Sequence, residues 1–399
     1  MKEYNGLQNN FKEYFDSKKR IVIKIGTQVL LNEEGKLSPP SFKNICGFVN
    51  SLKAQKKEVI LVSSGAIAAG KDMLGINPET GGFSIPQKQA FAACGQPVLM
   101  KNYDSFFKLY GLKTAQVLLT KEDVSVRKRF TNARNTIYEL LNNGVIPIIN
   151  ENDTVSYEEI KFSDNDQLSA LVLNLVCADL FIILSNVKGV FDKNPNIYKN
   201  AKPVKIINDI KNYIKNFKDV SKSIHGTGGM KSKLYAAFIA ASAGIDTVIA
   251  SGKDKKSLNF LSEGKLSGTL IVSSPRNKIN KKKHWLLFGM EKAGEIVADK
   301  GAIEAITFQN KSLLAGGIIK IKGDFKKGDG VYISDENGTV FSKGIVNLDS
   351  DDVKKIKGLS AEEIKIKFGK DKISSLVVHK DKWLQTYKNR SLKEQIWTI

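Results

Sequence analysis

A glycine-rich stretch, HGTGGMKSK at residues 225–233, combines backbone freedom with two closely spaced lysines. Glycines let backbone N–H groups approach an anion, and a helix that follows presents its positive N-terminal end. Apolar residues recur at helical spacing from 234 to 241 and Gly244 is placed to end that helix, so Lys231 and Lys233 lie in or just before its first turn. The spacing differs from the Walker loop, whose lysine directly follows the last glycine. An ordinary glycine-rich connector is the alternative to a phosphate site.

Two further glycine-containing turns follow predicted β-strands. In IVIKIGTQVL the strand contains Lys24 and is followed directly by Gly26, and in EVILVSSGAIAAG the strand leads through Ser64 and Gly65 into a helix. Ligands of open α/β sheets bind beyond the carboxyl ends of the strands, so these turns are candidates for a site. A lysine among Val and Ile residues is often an edge-strand or snorkelling residue. We favour the interpretation that Lys24 points inward and requires an anion.

Acidic and amide side chains are concentrated in two segments, NENDTV at residues 150–155 and FSDNDQ at residues 162–167. Asp153 follows a predicted buried strand, whereas Asn165 and Asp166 stand at the predicted start of a helix. These residue types also cap helix N-termini, so capping is the alternative explanation for any one of them. Together with the strand lysine they indicate an ionic site, in which carboxylates and amides hold an amine-bearing substrate and orient lysines that neutralise phosphate.

The first 275 residues, which contain these segments, alternate strand and helix patterns. The predicted strands are mostly continuous apolar runs, as expected of parallel strands covered on both faces. They read RIVIKI, EVILVS, TAQVLL, VIPIIN, LFIILS and DTVIAS. Helix-length segments lie between them, and in one of these the apolar residues form a single stripe: Leu168, Leu171, Val172, Leu175 and Val176. Alternation of this kind predicts an α/β fold, a three-layer sandwich with a mostly parallel central sheet.

The pattern changes at residues 273–284, a polar and basic stretch that reads SSPRNKINKKKH. Beyond it, apolar and charged residues alternate from Ile319 to Lys322, and hairpin signals occur at GDG before VYIS and at DENG before TVFS. A chain of 399 residues is also too long for one ordinary core. We therefore predict a domain over residues 1–275, a linker over 276–283 and a small, mostly-β domain over 284–399.

Composition argues against several kinds of protein. The cysteines and histidines are few and scattered, with no C-x-x-C pair, so neither a disulfide framework nor a zinc or Cys–His site is indicated. No apolar run is long enough for a membrane span and the N-terminus lacks the apolar segment of a signal peptide, so we expect a cytoplasmic protein without a membrane partner. The net charge of +21 suggests nucleic acid, but only six of the 62 basic residues are arginine and the charge is spread evenly. We interpret it as a lysine-rich solvated surface.

The order of the motifs closely resembles that of the amino-acid kinase family, and in particular of its members that phosphorylate glutamate. The resemblance covers essentially the whole chain and rests on VIKIGTQVL, VSSGAIAAG, NENDTV, FSDNDQLSALV, GTGGMKSK and AGIDTVIASG in that order. The C-terminal segments AGGIIKIKGDFKKGDGVYIS and NGTVFSKGIVN look like the PUA domain that bacterial members carry. The resemblance implies an amino-acid kinase domain that binds glutamate and ATP, followed by a PUA-like domain.

The resemblance also implies roles for individual residues. Three are implied to be catalytic: Lys24 contacts the ATP phosphates, Lys233 contacts the transferring group from the opposite side, and Asp166 orients both lysines. Glutamate is implied to be bound by Ser64, Gly65, Asp153 and Asn165. The residues implied to bind ATP are Lys24, Gly26, Ser185, Asn186, Thr227, Gly228, Gly229, Met230, Lys231, Ser232 and Lys233. Many members have Thr-Asp where this chain has Ser185-Asn186, which leaves the contacts to the nucleotide base open.

The implied reaction transfers the γ-phosphoryl group of ATP to the side-chain carboxylate of L-glutamate, giving L-glutamyl 5-phosphate in the first step of proline biosynthesis. A carboxylate with a pKa near about 4.3 is already ionised at pH 7, so this nucleophile needs no general base. Alignment and charge neutralisation remain, and lysines, loop N–H groups and Mg²⁺ carried with ATP can supply them. The resemblance further implies proline as a feedback inhibitor, a homo-oligomer, and possible hand-over of the product to glutamyl phosphate reductase.

Three alternatives are open at this point. A sibling kinase would act on acetylglutamate, aspartate, carbamate or UMP, although the PUA-like segment counts against it. An RNA-binding protein would account for that segment and for the charge, but no cluster of base-stacking aromatic residues is present in the sequence, and we expect no specific RNA partner. A catalytically silent amino-acid sensor would not need to retain both Lys24 and Lys233.

Overall fold

The computed structural model describes residues 10–77, 82–155, 165–195, 197–217, 229–274, 278–280, 284–290, 292–369 and 372–385. The chain divides into two compact units. The larger comprises Met1–Asp123 and Thr131–Ile279, and the smaller comprises Val124–Phe130 and Asn280–Ile399. The linker over 276–283 stays a prediction, because much of that stretch lies outside the described residues.

Strands and helices alternate over residues 10–279. The strands are β1 (Arg20–Ile25), β2 (Glu58–Ser63), β3 (Thr114–Leu119), β4 (Ile146–Glu151), β5 (Leu180–Ser185), β6 (Ile206–Ile207), β7 (Asp246–Ser251) and β8 (Thr269–Ile271). The helices are α1 (Phe11–Asp16), α2 (Thr27–Leu30), α3 (Pro39–Ala54), α4 (Ala66–Met73), α5 (Ile85–Lys108), α6 (Lys121–Ser125), α7 (Arg127–Asn142), α8 (Asn165–Val176), α9 (Ile210–Asn216), α10 (Met230–Ser242) and α11 (Lys255–Ser262). All six strand segments read from the sequence are strands.

The strands of the larger unit form one sheet in the order β3-β4-β2-β1-β5-β7-β8-β6. The neighbours from β3 to β7 are parallel, and the antiparallel β7–β8 pair reverses the direction for β8 and β6. The apolar runs of β4, β5 and β7 are buried along their whole length, whereas edge strand β3 is largely half-buried. The prediction of a mostly parallel sheet inside an α/β sandwich is therefore confirmed.

Helices cover the two faces of this sheet. Alternate residues of β1, including Ile21, Ile23 and Ile25, share one apolar cluster with side chains of α3, α5 and α11. Helices α8 and α10 contact the sheet and each other on the opposite face. The buried surface of α8 is wider than the single apolar stripe predicted from the sequence. Ala170 and Leu173 are buried as well, and the helix is enclosed on nearly all sides. A helix in the middle of a layer must be apolar all round.

Helices α4 and α5 approach each other to backbone contact at two glycines. A Cβ atom on Gly95 would lie 1.9 Å from the carbonyl oxygen of Ala66, and one on Gly70 would lie 1.8 Å from that of Phe91. No side chain fits at either position, so both glycines are required by packing. The first turn of α5 is fixed by a capping box, in which Ser84 and Gln87 bond to each other's backbone N–H groups. This packing holds the middle of α5 against the turn that links β2 to α4.

The smaller unit contains a six-stranded sheet in the order β10-β14-β13-β12-β9-β11. Its strands are β9 (Lys292–Ala298), β10 (Leu313–Leu314), β11 (Ile318–Lys322), β12 (Gly330–Ser334), β13 (Val340–Val346) and β14 (Leu376–Gln385). Its helices are α12 (Lys300–Gln309), α13 (Ser350–Ile356) and α14 (Ala361–Phe368), besides a wide turn over Trp285–Gly289. Trp285 donates its Nε1–H to the carbonyl oxygen of Val124 at 2.8 Å, which ties the segment 124–130 into this unit.

One of the two predicted hairpins is present. DENG joins β12 to β13 as an antiparallel pair, but GDG does not pair β11 with β12, because β9 lies between those strands. The alternation from Ile319 to Lys322 does not separate a buried face from an exposed face either, since Ile319 is exposed and Ile321 is only half-buried. Strand β11 lies at the edge of the sheet, where one side of the ladder has no partner strand to cover it.

Candidate active site

The carboxyl ends of β4, β2, β1 and β5 lie side by side at one edge of the sheet. A residue or pair that the sequence singled out follows each of them: Gly26 after β1, Ser64 and Gly65 after β2, Asp153 after β4 and Asn186 after β5. Gly65 has a φ of 110° where the chain turns from β2 into α4, a conformation that favours glycine. Gly26 donates its N–H to the carbonyl oxygen of Leu184 at 3.1 Å, which joins the turn after β1 to β5.

Two lysines and one aspartate form a buried charged cluster at this edge. The Nζ of Lys24 lies 2.5 Å from Oδ1 of Asp166, and the Nζ of Lys233 lies 3.5 Å from Oδ2. Lys24 is 3% exposed, Lys233 is 6% exposed and Asp166 is fully buried. The anion that faces Lys24 in this structure is therefore a side chain of the protein.

The hydroxyl of Ser232 completes the cluster. It lies 2.8 Å from Oδ2 of Asp166 and 2.9 Å from the carbonyl oxygen of Gly229. Burial disfavours the charged form of Asp166, but the ammonium groups of Lys24 and Lys233 and the hydrogen bonds outweigh this and hold the pKa of its carboxyl well below its usual range. Asp166 thus stays ionised and fixes the positions of two ammonium groups.

Helix starts bring these groups together. Asn165 and Asp166 are the first residues of α8, and Lys233 lies in the first turn of α10, which begins directly after Gly229. Helices α8 and α10 pack against each other, and both N-termini lie at the edge where β1 ends. The two lysines, with the N–H groups of the first turns, form a positive site suited to an anion such as a phosphoryl group.

A chain of three side-chain amides lies beside the cluster. Asn165 donates its Nδ2 protons to the carbonyl oxygen of Ser63 at 2.6 Å and to Oδ1 of Asn150 at 2.8 Å. Asn150 in turn donates from Nδ2 to Oε1 of Gln96 at 2.7 Å. All three amides are buried. A neutral polar network of this kind is suited to orienting a ligand by hydrogen bonds and does not supply charge.

The lysine cluster and the amide chain approach the sheet edge from opposite faces. Asn150 bonds to a residue of α5, the helix that packs on the face of Ile23 and Ile25, whereas Lys24 alternates with those residues and points to the face of α8 and α10. Two consecutive residues at the start of α8 contribute to both groups: Asn165 belongs to the amide chain and Asp166 belongs to the lysine cluster. The edge therefore offers a positive half and a neutral polar half.

The remaining predicted residues are distributed around this edge. Ser64 is buried, as is Ser185 at the end of β5. Asp153 and Met230 are half-buried, and Asn186 and Lys231 are exposed. Thr227 and Gly228 lie outside the described residues. The sequence did not single out Gln96 or Asn150. Two features point to these residues in retrospect. Asn150 stands inside the quoted motif NENDTV, and Gln96 directly follows Gly95, a glycine that the structure shows to be closely packed.

The described part of the chain contains neither a cluster of metal ligands nor a membrane-spanning helix. No cluster of three or more His, Cys, Asp or Glu side chains is placed to hold a metal ion among those residues. None of the helices described there combines the length and the apolar character that crossing a membrane requires.

A parallel α/β sheet with two buried lysines at its carboxyl edge is suited to a ligand that carries phosphate. Sequence comparison identifies the family: this chain belongs to the amino acid kinase family, whose pattern matches residues 19–251. The pattern of the PUA domain matches residues 294–368. The relatives carry a more particular name. A glutamate 5-kinase of Caldanaerobacter subterraneus subsp. tengcongensis is 42% identical over 91% of this chain and 96% of its own length. A glutamate 5-kinase of Citrifermentans bemidjiense is 40% identical over 93% of this chain and 98% of its own length.

Proposed function

We propose that this chain is an ATP-dependent kinase that phosphorylates the side-chain carboxylate of L-glutamate to L-glutamyl 5-phosphate. The observation that carries the proposal is the Lys24–Asp166–Lys233 cluster, which holds two ammonium groups at the carboxyl edge of the sheet. The name shared by relatives at about 40% identity over nearly the whole chain supports glutamate as the acceptor. The same names and the PUA domain favour this substrate over acetylglutamate, aspartate, carbamate and UMP.

The lysines act on the charge of the transferring group. Lys24 and Lys233 carry two positive charges and Asp166 carries one negative charge, so the cluster keeps a net positive charge that attracts phosphoryl oxygens. Ser232 bonds to Asp166, and Asp166 holds the two lysines before substrates arrive. The lysine side chains therefore need little rearrangement when negative charge moves between ATP and the acceptor carboxylate. Backbone N–H groups at the start of α10 add donors for the nucleotide phosphates.

The acceptor is positioned at the neutral half of the edge. Asp153, after β4, is assigned to the α-ammonium group of glutamate, and Ser64, Gly65 and Asn165 are assigned to its polar atoms. With the ammonium group held at β4, the side-chain carboxylate extends across β2 towards β1 and the lysine cluster. Its oxygen attacks the γ-phosphorus directly, since the carboxylate is ionised at neutral pH.

Magnesium fits this site as an ion carried by the nucleotide. Both oxygens of Asp166 are already engaged, Oδ1 by Lys24 and Oδ2 by Ser232 and Lys233, so this carboxylate is not available as a metal ligand. Mg²⁺ usually keeps water and substrate phosphates in its coordination shell, and when bound it neutralises phosphate charge. ATP is assigned to the segments after β1 and β5 and to the residues from Gly229 to Lys233.

The wider role proposed is the first step of proline biosynthesis in the cytoplasm. Proline as a feedback inhibitor, a homo-oligomeric assembly and hand-over of the acyl phosphate to glutamyl phosphate reductase complete the proposal. A short-lived acyl phosphate gives a chemical reason for hand-over, since water hydrolyses it in competition with the next enzyme.

A hydroxylamine trapping assay tests the reaction itself. The purified chain is incubated with ATP, Mg²⁺, hydroxylamine and one acid at a time. Hydroxylamine converts an acyl phosphate into a hydroxamate with release of phosphate, and added Fe³⁺ forms a coloured complex with the hydroxamate. We expect hydroxamate with L-glutamate and much less with N-acetylglutamate or aspartate. ADP release is followed in parallel with carbamate and UMP. Turnover of one of these compounds in preference to glutamate would identify a sibling kinase instead.

A further inference from the structure

Gln96 in the middle of α5 carries a buried amide nitrogen that no described residue accepts from. The side chain is 8% exposed, and its Nε2 has no hydrogen-bond partner within the described ranges. An amide N–H₂ group offers two donors, and leaving them unsatisfied away from water costs free energy. Such a group therefore requires a partner outside the described residues, and a bound ligand can supply it.

The orientation of the amide is fixed by the backbone. The nitrogen of Asn165 must face the carbonyl oxygen of Ser63, so its second proton goes to the oxygen of Asn150. That oxygen also accepts the N–H of Glu151 at 2.9 Å, which leaves only the nitrogen of Asn150 to face Gln96. Gln96 must then present its oxygen to Asn150, which leaves its nitrogen as the donor for another group. Rotating any one amide would set two donors or two acceptors against each other.

The position of Gln96 is equally constrained. Gly95, the preceding residue, packs against the carbonyl oxygen of Ala66, so Gln96 lies close to the turn formed by Ser64 and Gly65. Its bond to Asn150 holds it at the end of β4. The strand order β4-β2-β1 then separates it from the strand of Lys24 by two strand spacings, roughly 10 Å. A group bound by Gln96 is thus at the far end of the acceptor site from phosphoryl transfer.

We propose that Gln96 binds the α-carboxylate of the amino-acid substrate, with Nε2 donating to a carboxylate oxygen. This inference rests on the proposed glutamate kinase function and adds a substrate contact that the family resemblance did not supply. The α-carbon of glutamate carries an ammonium group and a carboxylate, and their two candidate partners, Asp153 and Gln96, both lie at the end of β4. A neutral donor there binds the α-carboxylate without adding a positive charge that would compete with the lysines for the side-chain carboxylate.

Two substitutions separate this contact from a structural role. Gln96→Leu removes both donors and the acceptor, whereas Gln96→Glu keeps an oxygen for Asn150 and places a second oxygen where Nε2 stood. Asn102→Leu on the same helix is the matched control, because the Nδ2 of Asn102 bonds to Val98 one turn earlier. Binding is measured by isothermal titration with L-glutamate and with 4-aminobutyrate, which lacks the α-carboxylate. Hydroxamate turnover is measured alongside, together with KM for ATP.

We expect both Gln96 variants to weaken glutamate binding by about 10- to 100-fold, the effect of losing one hydrogen bond to a charged group, with KM for ATP nearly unchanged. The affinity for 4-aminobutyrate should be the same in wild type and variants, since that compound has no α-carboxylate for Gln96 to contact. The proposal is wrong if Gln96→Glu, with its bond to Asn150 preserved, binds glutamate within about twofold of wild type, or if both compounds weaken equally. A wild-type chain that neither binds nor phosphorylates glutamate would instead contradict the proposed function.

Discussion

We propose that Lys233, which is buried in the first turn of α10, stabilises the charge that develops during phosphoryl transfer. Lys233→Ala should lower kcat by roughly 10²- to 10³-fold, the typical cost of one lost donor in the transition state, with little change in KM for glutamate. Lys43→Ala serves as the control and should retain most of the activity, because Lys43 is an exposed lysine of α3 without a proposed role in the site. Steady-state hydroxamate kinetics measure both. A Lys233→Ala variant with kcat within a few-fold of wild type would remove this lysine from the mechanism.

Asp166 makes the stability of the larger unit depend on pH in a defined direction. Its pKa is lower in the folded chain than in the unfolded chain, so its contribution is fully present above about pH 4 and declines as the pH falls towards the folded value. Asp166→Asn removes the carboxylate that Lys24 and Lys233 face and should cost about 3–5 kcal/mol at pH 7, the usual cost of removing one partner of a buried ion pair. The difference from wild type should shrink as the pH is lowered below about 4.

Urea unfolding at pH 7 and at about pH 3 measures this difference. Asp254→Asn is the control, because Asp254 caps the start of α11 and asparagine caps a helix equally well. A difference between wild type and Asp166→Asn that is the same at both pH values would mean that Asp166 stabilises the fold by shape and hydrogen bonding alone.

Helices α4 and α5 act as one element, because the glycines between them leave no space for side chains. Gly95→Ala would place a Cβ 1.9 Å from the backbone of α4 and should separate the helices, destabilise the chain and weaken glutamate binding, since Gln96 is the next residue. Gly47→Ala in α3 is the control: its Cβ would meet only the hydroxyl end of Tyr110, at 3.1 Å, and alanine favours a helix. Thermal unfolding and glutamate titration of the two variants test the difference. Equal melting temperatures for the Gly95→Ala and Gly47→Ala variants would show that α5 can move away from α4 without loss of stability.

The sequence predicted the elements better than it predicted the connections between them. Apolar runs such as LFIILS specify buried strands locally, so β5 and its neighbours were identified with bounds close to those observed. The hydrogen bond between Gln96 and Asn150 joins residues 54 positions apart and depends on how α5 lies across β4, which no local pattern encodes. The predicted hairpin at GDG failed for a similar reason, because β9 inserts between β11 and β12 from earlier in the chain. The sequence patterns singled out Lys24, Lys233 and Asp166, and the family resemblance supplied their individual roles.

The two units of the molecule differ in what they contribute to the proposed reaction. A chain that ends after Ile279 keeps β1–β8 and all candidate site residues, so we expect it to phosphorylate glutamate. It also loses Trp285, whose Nε1–H bonds to Val124 and whose ring packs edge-on against Phe130 at 6.5 Å. The segment 124–130 then loses these contacts, and we expect a lower melting temperature and more aggregation than for the full chain.

Activity and light scattering of the truncated chain test the two parts of this prediction separately. The full-length variant Trp285→Ala is the control, because it removes the contacts to segment 124–130 and keeps the PUA domain. It should reproduce part of the loss of stability. A folded truncated chain without kinase activity would show that the smaller unit is needed for catalysis.

Asn165 and Asp166 are joined by a single peptide bond and yet serve opposite faces of the sheet. For the evolution of such an enzyme this division has a definite effect. Substitutions along α5 and the end of β4 can alter which acid is accepted while the lysines keep their counterion and the phosphate chemistry continues. After a gene duplication, one copy could therefore acquire a new acceptor substrate through a few substitutions at the neutral half of the edge. No inactive intermediate sequence would be needed on the way.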